Sequence, residues 1–358
     1  MSESVVEPST PPADAAAVRV ERRDALRSVD GAEGVHDRLE RALFEIKRVI
    51  VGQDEMLERV FVALLAGGHL LLEGVPGLAK TLTIKTLAQT LGGTFQRIQF
   101  TPDLVPADLV GTRIWRPDTG SFETELGPVF CNFLLADEIN RAPAKVQSAL
   151  LEVMQEQQVT IGPTTYLVES PFLAMATQNP IESEGTYPLP EAQVDRFMMK
   201  VLVGYPAFDE ETEVVRRALA SPPDVREILD AQDVIAYQRA TLDVYVDRLV
   251  CEYAIAIVSA TRDPEPFGKG ELKRFVEFGA SPRGSIYLVR AAQALALIRG
   301  RGYVLPRDVA ELAKDVLRHR LVMAYDALAE DVTADGVLDE VLGAVPAPQL
   351  ELAEAAEA

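Results

Sequence analysis

Five short stretches of this chain hold residue types that do chemistry in company. The first is Gly74-Val75-Pro76-Gly77-Leu78-Ala79-Lys80-Thr81, followed by Leu82 and a helical pattern and preceded by the apolar run Leu70–Leu72. Strand, glycine-bearing loop and helix, in that order, make a phosphate-binding loop. Glycines let backbone N–H groups turn toward phosphate oxygens. Lys80 can reach the β- and γ-phosphates, and the Thr81 hydroxyl can bind Mg²⁺. Ala79 stands where the general pattern has glycine, which costs little if that backbone position is helical. The plain alternative is a glycine turn that merely connects.

The second stretch is Phe133-Leu134-Leu135-Ala136-Asp137-Glu138. A buried strand that ends in two carboxylates needs a reason, because unpaired burial is costly. Mg²⁺ and water supply one: Asp137 would hold the metal, and Glu138 would polarise an attacking water. A helix N-cap ahead of Pro143 is the plain alternative. Third, Asn179 follows the apolar run Phe172–Ala176, where strand C-termini of a parallel sheet gather at a ligand crevice. It orients water there, or simply forms an Asn-Pro turn. Fourth, Arg196 ends a short helical stretch opened by Pro190. It reads either as an arginine finger acting on a neighbour or as a local ion pair with Asp195. Fifth, Arg283 follows Ser281-Pro282, a cap and first-turn pair. A cation there opposes the helix dipole by roughly 0.3–1 kcal/mol unless an anion such as a γ-phosphate lies near; a solvated arginine is the alternative.

These groups need elements to position them. Leu70–Leu72, Phe133–Ala136, Phe172–Ala176 and Met198–Val203 are short apolar runs with helical patterns between several of them. That alternation predicts an α/β fold, a parallel sheet covered by helices on both faces. From about 207 to 335 the periodicity is helical without a clear strand, broken at Ser221-Pro222-Pro223 and Asp263-Pro264, and predicts a small all-helical lid. The expected organisation is a disordered tail over 1–33, a nucleotide-binding domain over 34–205, the lid over 206–335 and a frayed acidic tail over 336–358.

Composition narrows the function. The chain has 358 residues, 48% hydrophobic, with a net charge of −20. Such a surface repels phosphate backbones. Cys131 and Cys251 form no CxxC pair, and His36, His69 and His319 lack ligand spacing, so neither a disulfide framework nor a zinc site is expected. The N-terminal residues hold no secretory apolar run and no stretch reaches the ~20 apolar residues of a bilayer span. A cytoplasmic protein without direct membrane insertion is expected.

Read together, GVPGLAKT (74–81), LLADEINRAPAKVQSALLEVMQE (134–156), ATQNPIE (176–182), LPEAQVDRF (189–197) and GASPRGS (279–285) resemble the MoxR branch of the AAA+ ATPases over roughly residues 40–325. Ala79 agrees with that branch. The resemblance implies Walker A at Lys80 and Thr81, Walker B at Asp137 and Glu138, sensor 1 at Asn179, the arginine finger at Arg196 and sensor 2 at Arg283. It places Val51-Gly52-Gln53 near the adenine. It implies ATP and Mg²⁺ as cofactors, a homo-oligomeric ring that is usually a hexamer, and chaperone-like remodelling of a protein client. It also implies partners that bear von Willebrand A domains; no DxSxS motif occurs here, so such a domain comes from another chain. Two hairpins are implied at about 111–128, with Trp115, and 159–168, facing the pore or a client; Trp115 alternatively packs on its own hairpin.

A chelatase-type ATPase subunit and a DNA-translocating ring are the rival readings. The stretch Gln155–Ser170 contains Glu156 and Glu169 and no Lys or Arg, whereas a hairpin that grips phosphates is basic. Nucleic acid is therefore not an expected partner. At ~0.15 M salt the protein should not shift labelled DNA or RNA in a gel at sub-micromolar concentration, since even non-specific binders sit at ~10⁻⁴–10⁻⁶ M; a sub-micromolar shift counts against this reading.

Overall fold

A computed structural model describes residues 31–75, 77–180, 185–220 and 223–349. The expected tail over 1–30, Pro76, the Ser221-Pro222 break and residues 350–358 lie outside the described residues. The strands in chain order are β1 (Leu70–Glu73), β2 (Phe95–Gln99), β3 (Gly111–Arg116), β4 (Ser121–Leu126), β5 (Phe133–Asp137), β6 (Gln158–Ile161), β7 (Thr164–Leu167), β8 (Leu173–Gln178) and β9 (Met199–Leu202). Five of them form one parallel sheet in the order β2-β5-β8-β1-β9. Helices that include Asp54–Leu65, Lys80–Thr90 and Ala144–Glu156 connect and cover it.

The three central strands are buried until their last residue. Leu70–Leu72, Phe133–Ala136 and Leu173–Thr177 are buried, and only Glu73, Asp137 and Gln178 at the C-terminal ends are partly exposed. Hydrophobic burial drives the strands in and leaves one polar edge facing out. β2 was not legible as a strand: of Phe95-Gln96-Arg97-Ile98-Gln99, only Ile98 is buried, because β2 is an edge strand. The two expected hairpins are β3–β4 and β6–β7. Trp115 pairs across the first with Phe122, ring centroids 5.0 Å apart, yet both rings stay about half exposed.

The lid is built on helices Ala231–Asp243, Arg248–Arg262, Pro282–Ile298, Pro306–Leu317 and Ala334–Ala344. It is not strand-free: β10 (Val276–Phe278) pairs antiparallel with β11 (Val322–Met323), and both are too short to show a period in sequence. Buried charge joins lid to core. Arg59, 3% exposed, donates to Asp315 at 2.8 Å, and Arg318 bridges Asp315 at 2.5 Å and the Lys200 carbonyl at 2.6 Å. Buried charges persist only when paired and hydrogen-bonded.

Two expectations change. Residues 31–33, expected as the end of the N-terminal tail, open the helix Gly31–Lys47. More consequentially, the first part of the frayed acidic tail is a packed helix. Val337, Leu338, Val341 and Val345 are buried, and Thr333 caps the helix by accepting from the Gly336 amide at 3.1 Å. Its acids are paired, Asp339 with Lys314 and Glu340 with Lys269, each at 2.6 Å. Among the described residues no helix is long and apolar enough to cross a membrane.

Leu338→Ala should therefore lower unfolding free energy by about 2–5 kcal/mol, the cost of a core truncation. Denaturant titration measures it; a change within about 0.5 kcal/mol, the surface range, would restore the frayed tail.

Candidate active site

The polar ends of β1, β5 and β8 open into a cleft of about 430 Å³ lined by Gly74, Gly77–Leu82, Asp137, Glu138 and Asn179, together with Arg97, Gln99, Thr177 and Gln178. The Lys80 ammonium donates to the Gly74 carbonyl and rests inside the loop. Burial lowers its pKa, while Asp137, Glu73 and Glu138 oppose the shift. A folded lysine surrounded by three carboxylates keeps a positive charge ready for an anion.

Ala79 is not helical. It has φ 56 and ψ 18, the left-handed region, as N-cap of Lys80–Thr90. That conformation costs a non-glycine residue about 1–2 kcal/mol. The loop imposes it to turn the chain into the helix, and the Ala79 carbonyl then accepts both the Thr83 amide at 2.8 Å and the Thr83 hydroxyl at 3.0 Å.

The carboxylate pair is fixed by cross-strand neighbours. Thr177 on β8 donates to Asp137 Oδ1 at 2.6 Å and accepts from the Glu138 amide at 2.9 Å. Arg97 on β2 contacts Asp137 Oδ2 at 2.6 Å. Gln99 donates to Glu138 Oε2 at 2.7 Å, and Arg141 pairs with the same oxygen at 3.1 Å. Glu138 itself has φ 56, which turns the chain sharply off the strand. Asn179 is 9% exposed at the cleft wall. Arg97, Gln99 and Thr177 escape a reading of the sequence. Thr177 lies inside the string that flagged Asn179; Arg97 and Gln99 alternate on one face of β2, a signal that gains meaning only once β2 is known to lie beside β5.

Comparison with known proteins follows the same lines. A family model described as "ATPase family associated with various cellular activities (AAA)" matches residues 69–199, and one described as "AAA lid domain" matches 272–341. Chaperone MoxR1 of Mycobacterium tuberculosis is 57% identical over 324 residues, 89% of this chain and 86% of that protein. The chain belongs to the MoxR family of AAA+ ATPases. Protein MoxR of Methylorubrum extorquens is 30% identical over 328 residues, 85% of this chain and 93% of its own. A solved structure of a protein from Cytophaga hutchinsonii superposes with a TM-score of 0.86 at 46% identity, covering 91% of this chain and all of that one. This MoxR-family chain is thus a nucleotide-binding, ATP-hydrolysing P-loop protein.

Not every residue expected at a MoxR-type site lines the cleft. Val51–Gln53 lie beside the exit from β9: Gln53 Nε2 donates to the Gly204 carbonyl at 3.0 Å, and a Cβ on Gly52 would meet the Glu210 carboxyl at 2.7 Å. Val75 adjoins the loop without lining the cleft. Arg196 is outside the cleft and, among the described residues, its side chain makes no hydrogen bond or ion pair. The local pair with Asp195 does not form; Asp195 instead meets Arg283 and Arg320, each at 2.9 Å. Arg283 is thereby held away from the cleft lining.

Thr177→Val keeps the shape and removes the hydrogen bond to the Asp137 carboxylate and the one accepted from the Glu138 backbone amide. Turnover should fall about 10- to 100-fold, matching the 1.5–3 kcal/mol of hydrogen bonds to charged groups, with labelled-ATP affinity little changed. Steady-state ATPase assays beside a binding titration check it; full turnover in the variant would remove Thr177 from the site.

Proposed function

We propose that this MoxR-family protein hydrolyses ATP at the interfaces of a homo-oligomeric ring, a hexamer by analogy with its branch, to remodel or mature protein complexes. The observation that supports the reading is a cleft that gathers Lys80, Thr81, Asp137, Glu138 and Asn179, with Arg196 outside it and, among the described residues, without a side-chain partner. An arginine stabilising transferred phosphoryl charge is worth ~10³–10⁵ in rate, and it can come from another chain.

In this reading Lys80 and the loop amides hold the phosphates, Glu138 and Asn179 align and polarise the attacking water, and Arg196 meets the neighbour's γ-phosphate. Thr81 and Asp137 offer the hard oxygen ligands that Mg²⁺ takes, and the Asp137 carboxylate, already facing a cation in Arg97, fits that charge. Mg²⁺ would neutralise charge on the phosphates. Val51–Gln53 at the β9 exit and Arg283 on the lid are the candidate adenine and γ-phosphate contacts, which Arg283 reaches by leaving Asp195. The exposed Trp115 and Phe122 give the β3–β4 hairpin an apolar tip suited to a protein client. A von Willebrand A protein remains the partner class that the branch suggests, and the cytoplasm the expected compartment. The chelatase alternative loses ground because relatives at 57% and 30% identity carry MoxR names.

Lys80→Ala should abolish nucleotide binding, and Glu138→Gln should bind and not hydrolyse. Sedimentation of Glu138→Gln with ATP and Mg²⁺ should give a ring. Brisk hydrolysis by Glu138→Gln, or a strict monomer with nucleotide bound at high concentration, would sink the reading.

A further inference from the structure

The turn that carries Arg196 is held in an unusual way. The amides of Asp195, Arg196 and Phe197 bond back to Glu191, Gln193 and Val194 within the turn. The carbonyls instead face the lid. Arg320 Nη2 donates to Asp195 O at 3.0 Å and to Phe197 O at 2.6 Å, and Arg320 Nη1 lies 3.3 Å from Met198 O. His319 Nε2 meets Phe197 O at 3.1 Å, and the Tyr287 hydroxyl reaches Arg196 O at 3.5 Å. Four consecutive carbonyls are thus contacted by lid side chains.

The side chain of Asp195 ties this arrangement together. One oxygen takes Arg283 Nη1 at 2.9 Å, the other lies 2.9 Å from Arg320 Nε, and the Ser281 hydroxyl is 3.3 Å from both. Arg320 is 5% exposed and stacks over Tyr287 at 5.1 Å, so its charge has little solvent to turn to. Burial lowers its pKa to about 10, and Asp195 is the largest influence holding the charge on. The residue before Arg196 is therefore heavily anchored, while Arg196 itself has no side-chain partner among the described residues. A free guanidinium on a rigid base suits a group that works on something outside its own chain.

We propose that Asp195 is the positioning residue for Arg196: it clamps the finger-bearing turn to Arg320 of the same subunit's lid, the contact it keeps when Arg283 turns to the γ-phosphate, so that Arg196 projects at a fixed place toward the nucleotide of a neighbouring copy. This rests on the reading of Arg196 as a finger acting in trans. Asp195 does not line the cleft; it acts through Arg196. Any displacement of the lid is transmitted through this carboxylate to the site next door.

The test uses the full chain. Asp195→Asn should keep labelled-ATP binding, since it releases Arg283 toward the γ-phosphate, and turn over about 10²-fold more slowly, the scale of a 1 Å misplacement. Asp195→Glu, which keeps the charge beside Arg320 and lengthens the side chain by one methylene, serves if the first variant fails to fold, and should show the same pattern. Either variant is then mixed with an excess of Lys80→Ala chains, inactive alone. An intact finger from a Lys80→Ala chain should restore turnover per Asp195-variant site at least tenfold. Arg196→Ala mixed with Lys80→Ala is the control. Recovery in both mixtures supports the proposal. Recovery with Arg196→Ala and none with the Asp195 variants, despite proven co-assembly, shows that Asp195 serves its own site and overturns it. No recovery in the control overturns the finger reading beneath it. Full turnover in Asp195→Asn alone also overturns it.

Discussion

Two carboxylates side by side at the end of a buried strand repel each other and resist loss of water. The architecture around β5 answers that constraint. Both flanking strands of the sheet send a polar side chain to the pair: Arg97 and Gln99 from β2, Thr177 from β8. Each carboxylate is thereby held by donors that sit on rigid strands instead of loops. Oriented groups of this kind stabilise charge without reorganising when it develops. The parallel order of the sheet is what makes the arrangement possible, since it brings the polar ends of β1, β5 and β8 to the same edge.

The second organising feature is the seam between sheet domain and lid. It is polar as well as apolar. Arg59 reaches from the helix Asp54–Leu65 to Asp315, Arg318 crosses to the Lys200 carbonyl, and Arg320 grips the segment after the short helix Glu191–Val194. A buried pair costs several kcal/mol when one partner is removed. A lid fastened in this manner does not drift over the cleft; if it turns, the β9 end and the Asp195–Met198 turn turn with it.

How much of this could be seen beforehand depended on whether the signal was local. β1, β5 and β8 read as apolar runs with polar ends because fully buried strands have no alternation to hide them, and that alone located Lys80, Asp137, Glu138 and Asn179 on one edge. β2 showed no such run, being an edge strand, and Arg97 and Gln99 disappeared with it. Thr177 matters because it faces β5, a fact about sheet order and not about neighbours in sequence. The helix Ala334–Ala344 was obscured by its acids, which look like a solvated tail until Lys269 and Lys314 are seen to pair with them. Ala79 misled by residue type: alanine suggests a helical backbone, and the loop's geometry overrides that preference.

Trp115 is the single tryptophan of the 358 residues. It stands on an exposed hairpin, edge-on to Phe122 and about half in water. The protein consequently carries one indole fluorophore, separable from its tyrosines by long-wavelength excitation, on the hairpin it would offer to a client. Its emission wavelength reports the wetness of that one indole, with no second indole to dilute the signal. A shift on mixing with another protein, or during ATP turnover, would be assignable to the β3–β4 hairpin without any label.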